Sequence, residues 1–180
     1  MITDEYKNLL HQMQSKNRFK NGLKDYEDVF NFIKTESPLS IIDFGCSQGI
    51  LIKKIKEEFP HIDCIGYDPG VIEYEVFPNS AVECLISNDV IEHIEPKFLD
   101  ITLEKINMLF TKSARLIIAC YPAKKNLPDG RNAHLIIEKP DWWLEKIKII
   151  FNDCEIQNSV IIEKAENKPE LQIVLRKKGY

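Results

Sequence analysis

The chain has no Cys-x-x-Cys pair. Its five cysteines, at positions 46, 64, 84, 120 and 154, are at least 18 residues apart, so no zinc or dithiol redox motif can be read and no metal site is expected. Four of them lie in or beside apolar strand-like runs, as buried thiols do in a reducing compartment. No stretch reaches the ~18 apolar residues of a membrane-spanning helix. The opening residues 1–6 are polar and acidic, unlike a secretory leader. The expectation is a cytoplasmic protein with no membrane role. Basic residues are not in excess either: 24 Lys and Arg against 28 Asp and Glu leave a net charge of -4, which argues against coating nucleic acid. Glycine is scarce, with seven in the chain, so the pair at 45 and 49 stands out.

What remains is an ordinary globular composition, 44% apolar and 29% charged over 180 residues, enough for one domain with its own core. Residues 1–37 read as an N-terminal helical cap and 38–180 as an α/β core. Tyr6, Leu9, Leu10 and Met13 recur at helical spacing, and the polar, basic residues 15–24 read as a loop. Tyr26, Val29, Phe30 and Ile33 mark a second helix, which must end before Pro38 because the residue preceding proline resists helical backbone. Strands are expected at 39–44, 63–67, 83–87 and 114–120. Amphipathic helices are expected at 50–59, from Pro96 with a buried face running through Phe98, Leu99, Leu103, Ile106, Leu109 and Phe110, and from Pro140 with Trp142, Trp143, Ile147 and Ile150. Residues 156–162 and 171–175 form a closing antiparallel pair. This alternation predicts a Rossmann-like, open, mostly parallel sheet with helices on both faces.

The most informative stretch is residues 40–49, Ser-Ile-Ile-Asp-Phe-Gly-Cys-Ser-Gln-Gly. An apolar strand ends in a glycine-bearing turn and a helix follows at once. There a ligand can lie against bare backbone, facing the unpaired N–H groups and positive end of the helix. Three chemistries compete for it. As Gly-x-Ser-x-Gly it fits a hydrolase nucleophile elbow, with Ser47 as nucleophile and Asp89 or Asp129, then His134, following in order. Against this, the turn follows the first strand rather than a central one, and no His-Gly-Gly-Gly-like oxyanion loop precedes it. A nicotinamide-type Gly-x-Gly-x-x-Gly fails at positions 47 and 50. The third reading starts from Gly66-Tyr67-Asp68, a carboxylate at the next strand end. In a doubly wound sheet that position meets the two hydroxyls of an adenosine ribose.

With these motifs in register, the chain resembles the class I S-adenosylmethionine-dependent methyltransferases over about residues 39–120. Residues 43–49 look like that family's first motif, with Ser47 in place of the middle glycine. Tyr67-Asp68 looks like the second, and residues 85–94, Leu-Ile-Ser-Asn-Asp-Val-Ile-Glu-His-Ile, are similar to its strand-four segment. The resemblance implies S-adenosylmethionine as cofactor. The turn comprising Gly45, Cys46, Ser47 and Gly49 would pass under its methionine part, with Asp43 supporting the turn, Asp68 on the ribose, and Asn88 and Asp89 near the reactive methyl. His93 reads as a hydrogen-bonded structural residue. Only 14 residues separate Asp68 from Glu83, room for at most a stub of the family's third strand at 71–76. The run Ser87-Asn88-Asp89-Val90 differs from the Asp/Asn-Pro-Pro-aromatic run of enzymes that receive a flipped base, so a nucleic-acid acceptor is not expected.

The acceptor region is expected in the polar loop 121–134 beyond a strand end, where ligand contacts gather in such sheets. Tyr121, Lys125, Arg131, Asn132 and His134 are its candidates. Lys125 and Arg131 could clamp a carboxylate or phosphate, and His134 could deprotonate the acceptor. One of the two tryptophans could border the pocket. Tyr6 and the basic loop 16–24 could act as a lid. A small or medium acceptor, with an anionic group as an option, is the partner this pattern suggests. A noncatalytic cofactor-binding module acting through a partner is the alternative.

Overall fold

The computed structural model describes residues 2–15 and 26–180. Six strands form one sheet, β1 (Ser40–Phe44), β2 (Asp63–Tyr67), β3 (Val82–Asn88), β4 (Phe110–Ala119), β5 (Cys154–Glu163) and β6 (Pro169–Lys177), in the order β2-β1-β3-β4-β6-β5. The first four are parallel; β6 runs antiparallel to both β4 and β5. Among the described residues, five α-helices accompany them: α1 (Asp4–Ser15), α2 (Glu27–Glu36), α3 (Ile50–Glu58), α4 (Leu99–Met108) and α5 (Pro140–Ile150).

Successive strand residues point to opposite faces, and this splits the core in two. Ile41, Cys64, Cys84 and Ile86 pack under α2 and α3 through Val29, Ile33, Leu51, Ile52 and Ile55. Ile42, Phe44, Leu85, Leu116 and Ile118 pack on the other face under α4 and α5 through Leu103, Ile106, Trp143 and Ile147. Trp143 is completely buried, and truncating such a ring costs roughly 3–5 kcal/mol.

One expectation is corrected, and the third strand, expected short or missing, is absent. Phe110 belongs to β4, not to the preceding helix face. Its ring is buried, and the strand begins there because Val82 pairs with it in the sheet. No strand forms at 71–76. The loop instead folds back through a short 3-10 turn, Ile72–Tyr74, with Asp68 N donating to Tyr74 O at 2.9 Å. The third strand of the expected pattern is therefore missing, and β2 is the sheet edge.

α1 lies across the open side left by that deletion. Thr3 Oγ1 caps it by accepting from Tyr6 N at 3.1 Å, as a side-chain oxygen does at a helix start. Glu95 holds Thr3 through its N–H at 2.7 Å and hydroxyl at 3.0 Å, and Lys7 pairs with Glu75 at 2.7 Å. The expected basic lid at 16–24 lies outside the described residues.

Candidate functional site

The carboxyl ends of β1, β2 and β3 and the loop after β4 converge on a cavity of about 740 Å³, within the range of small-molecule sites. At the end of β1 the chain turns on Gly45, with φ +90°; a Cβ there would sit 2.2 Å from Val90 Cγ2. Gly45 N and Cys46 N both donate to Tyr67 O, at 2.7 and 3.1 Å. Ser47 N donates to Asp68 Oδ2 at 2.9 Å, while Asp68 Oδ1 accepts from Gly70 N at 2.8 Å. One carboxylate thus ties the turn after β1 to the loop after β2. Gly49, φ +69°, starts α3, and a Cβ there would meet Tyr74 Oη at 2.3 Å.

The floor of the cavity carries acid. Asp43 is buried beneath the turn; burial, and then the nearby Asp68 charge, push its carboxyl up to about 7. Burial also raises Asp68, against the lowering effect of its bonds from Gly70 and Ser47. At the end of β3, Asn88 Oδ1 accepts from the buried Arg115 at 2.7 Å, and Asn88 Nδ2 is buried with no hydrogen-bond partner. Asp89 adopts φ +53° and reaches solvent inside the cleft; the surrounding protein, and then Glu170, raise its carboxyl to about 6.

Tyr121, Lys124, Lys125 and His134 also line the cavity, together with Lys164 and Lys168 from the β5–β6 turn, where Lys164 pairs with Glu170 at 3.1 Å. His134 Nδ1 donates to Tyr121 O at 2.5 Å, and His93 Nδ1 donates to Ala133 O at 2.7 Å. Burial lowers both imidazoles, His93 to about 4. Tyr6, Leu10 and Gln14 of α1 close the roof; Tyr6 Oη donates to His93 O at 2.6 Å, and Ser47 Oγ donates to Gln14 Oε1 at 3.3 Å.

A family model described as a methyltransferase domain matches residues 9–149. The chain belongs to the class I S-adenosylmethionine-dependent methyltransferase family. No curated protein matches its sequence. Among solved structures, the chain is similar to the Burkholderia thailandensis 1,6-didemethyltoxoflavin N1-methyltransferase bound to 1,6-didemethyltoxoflavin and S-adenosylhomocysteine. The TM-score is 0.67 at 13% identity, over 96% of this chain and 89% of that one. It is also similar to the plantazolicin methyltransferase BpumL, in complex with a pentazolic desmethyl analogue and S-adenosylhomocysteine (TM-score 0.63, 11% identity, 96% of each chain). A third is an S-adenosylmethionine-dependent methyltransferase from Clostridium acetobutylicum (0.60, 9%, 98% and 100%). At these identities the likeness is one of fold.

In this methyltransferase the residues expected to serve the cofactor come together. Asp43, Gly45, Cys46, Ser47, Asp68, Asn88 and Asp89 all line the cavity. Gly49 sits just behind it, where its bare Cα admits Tyr74. Two acceptor candidates need correction. Arg131 is spent on Asp129, 2.7 Å from Nε to Oδ2, and stands outside the cavity wall. Asn132 is a loop clamp: its amide bonds both Ala123 N and Ala123 O at 2.9 Å, and its Oδ1 also accepts from His134 N. Neither tryptophan reaches the cavity. Trp143 is core, and Trp142 packs edge-on against it with Lys146 over its ring. The sequence reading passed over Lys164 and Lys168, which come to the site only because β6 inserts between β4 and β5. It also gave no role to Glu92, which is fully buried.

Ser47 holds a left-handed backbone, φ +48°, at the position where the family has glycine. Its hydroxyl faces Gln14 rather than a histidine. Ser47→Gly is therefore expected to keep full methyl transfer and to hold or slightly raise thermal stability, because glycine adopts this backbone without a steric cost. A hydrolase nucleophile would instead lose its activity on this change; a thermal melt and a turnover assay read both.

Proposed function

We propose that the methyltransferase binds S-adenosylmethionine along the turn 45–49, with Asp68 on the ribose, and passes its methyl group to a small acceptor bearing an anionic group. The observation that carries this reading is the Asp68 carboxylate. It is seated on two backbone N–H groups at the end of β2, one of them from the glycine turn itself. The residues present fit the cofactor. The Gly45 cradle is one that a Cβ would fill, and the partnerless Asn88 amide nitrogen belongs to a side chain on the same wall. When bound, S-adenosylmethionine supplies a methyl carbon activated by a positive sulfur, so the protein's task is alignment and exclusion of water. α1 performs the exclusion, through Tyr6 and Gln14.

Lys124, Lys125 and Lys168 support an anionic acceptor, since they bring cations to the cavity wall beside Lys164, which is paired with Glu170. His134, held by the Tyr121 carbonyl, faces the acceptor's reacting atom. The five free cysteines suit a reducing, cytoplasmic setting, and no helix among the described residues is long and apolar enough to cross a membrane. Calorimetry with S-adenosylmethionine and S-adenosylhomocysteine tests the cofactor; absence of binding to both overturns the reading. Release of S-adenosylhomocysteine over a panel of small carboxylate or phosphate compounds and their neutral analogues tests the acceptor class. Turnover confined to the neutral set removes the anionic group.

Asp43 gives this site a pH signature of two opposite signs. A carboxyl raised to about 7 in the folded protein binds its proton more tightly there than in the unfolded chain. The stability that Asp43 contributes to the unliganded protein is therefore full below about pH 4 and is lost as pH rises through 7. The cationic cofactor prefers the ionised carboxylate, so its affinity rises over the same range, by about tenfold from pH 6 to pH 8. Asp43→Asn should flatten both curves. Parallel trends in melting temperature and affinity would refute the assignment.

A further inference from the structure

α1 brings one side chain to the cavity whose polar groups the fold itself does not use up. Tyr6, Leu10 and Gln14, four residues apart, share one face of the helix, and all three line the cavity. Tyr6 is engaged by the His93 carbonyl, and Leu10 packs with Tyr6, Leu127 and Ala133. Gln14 is half-buried, and only its oxygen is engaged. Oε1 accepts from Ser47 Oγ at 3.3 Å and from Gln48 Nε2 at 3.2 Å. An amide nitrogen only donates, so Gln48 fixes which end of the Gln14 amide faces the turn. Gln14 Nε2 keeps both hydrogens and has no hydrogen-bond partner among the described residues. Gln48 maintains this orientation without the Ser47 hydroxyl, in keeping with the mild effect expected of Ser47→Gly.

The backbone sets this donor beside Asp68. A Cβ added to Gly70 would lie 2.9 Å from Leu10 Cβ, 3.4 Å from Gln14 Cγ and 3.2 Å from Asp68 Oδ1. The bare Cα of Gly70 therefore admits α1, and Gln14 and Asp68 approach each other over it. Asp68 is seated on Ser47 N and Gly70 N. Gln14 lies against both ends of that seat, through the Ser47 hydroxyl on one side and over Gly70 on the other. A sugar hydroxyl that donates to a carboxylate still has an oxygen able to accept. The two backbone N–H groups nearest Asp68 are engaged by Asp68 itself, whereas Gln14 Nε2 is not engaged.

We propose, resting on the cofactor reading above, that Gln14 completes the nucleoside site from α1 by donating through Nε2 to a ribose hydroxyl oxygen whose proton Asp68 accepts. The roof helix and the end of β2 then read the two sides of one hydroxyl. β2 is the sheet edge, so this wall comes from a helix that precedes the sheet in the chain. The ligand also draws down the helix that covers it, and Gln14 becomes a determinant of specificity for a ribose over a deoxyribose.

Calorimetry with S-adenosylhomocysteine and its 2′-deoxy and 3′-deoxy counterparts tests this on the full chain and on Gln14→Ala and Gln14→Glu. Gln14→Ala should weaken S-adenosylhomocysteine about tenfold, and the loss should shrink to about twofold or less for the deoxy ligand that lacks the partner oxygen. Gln14→Glu keeps an oxygen for Ser47 and Gln48 but offers no donor, so it should lose at least as much as Gln14→Ala. A residue that only holds α1 on the turn would be rescued by glutamate, and its removal would weaken all three ligands equally. Either of those results, or variants that bind S-adenosylhomocysteine like the parent, overturns the inference and leaves the cofactor reading standing. A parent protein that binds none of the three ligands removes the cofactor reading and this contact with it.

Discussion

Gly45→Ala is expected to destabilise the protein and to abolish measurable cofactor binding. The backbone at Gly45 sits at φ +90°, and a new Cβ would lie 2.2 and 2.8 Å from the two methyl carbons of Val90. The backbone alone costs about 1–3 kcal/mol in that region for an L-residue. The clash then forces either the turn or the loop after β3 to move. Both line the cavity, so the surface against which the ligand would lie shifts with them, and an affinity loss of about a hundredfold or more follows from displacing an aligned site. Thermal melting reads the first effect and S-adenosylhomocysteine calorimetry the second. The double variant Gly45→Ala with Val90→Ala removes the nearest contacts but leaves the strained φ. It should recover part of the stability. A single variant that melts and binds like the parent would mean that the turn is not held against Val90.

Asp68→Ala should produce a loss of comparable size by a different route. The carboxylate accepts from Ser47 N and Gly70 N, and both partners are stranded when it goes. Hydrogen bonds to a charged acceptor contribute roughly 1.5–3 kcal/mol each. The unliganded fold should therefore weaken noticeably while keeping its sheet, since neither partner lies in a strand. On the proposed cofactor reading the ribose loses its bidentate acceptor as well, and sites built to hydrogen-bond a hydroxyl discriminate steeply once the partner is missing. A drop of about a hundredfold or more in affinity for S-adenosylhomocysteine is the expected reading. Retention within a few-fold would place the ribose elsewhere. Asp68→Asn separates the two contributions, because its single amide oxygen can keep one backbone partner while its NH₂ group opposes the other.

The parts of the site legible in the sequence are those written in consecutive residues. Ile41 and Ile42, buried on opposite faces, announce a strand covered on both sides. The glycine at its end and the acid after the next strand follow from the parallel topology. Asp68 could be found because the distance from turn to strand end is set by one helix and one strand. What the sequence hid depends on contacts between distant segments. Asn132 and Arg131 carry the right chemistry for an acceptor, yet one clamps Ala123 and the other pairs with Asp129; composition cannot tell a loop's internal partners from its ligands. Lys164 and Lys168 became visible only with the strand order β4-β6-β5. Phe110 was assigned to a helix because apolar spacing continues across the boundary, and the pairing of Val82 with Phe110 decides otherwise. Glu92 lay in plain view inside a recognised motif, but its burial is a property of the packed loop and of Ile136 N donating to Glu92 O.

The cavity wall starts at Ile2 and ends at Lys168, with contributions from α1, three strand ends, the long loop after β4 and the β5–β6 turn. No short segment holds the site by itself. A ligand there acts as a clasp on the whole fold, because every partly unfolded form that releases α1 or the C-terminal hairpin also gives up the ligand. At a hundredfold excess over its dissociation constant such a ligand adds about 2.7 kcal/mol to the folded state. That increment is spread over the molecule from its second residue to its last hairpin, and a cell rich in the methyl donor would hold more of this chain folded than a starved one.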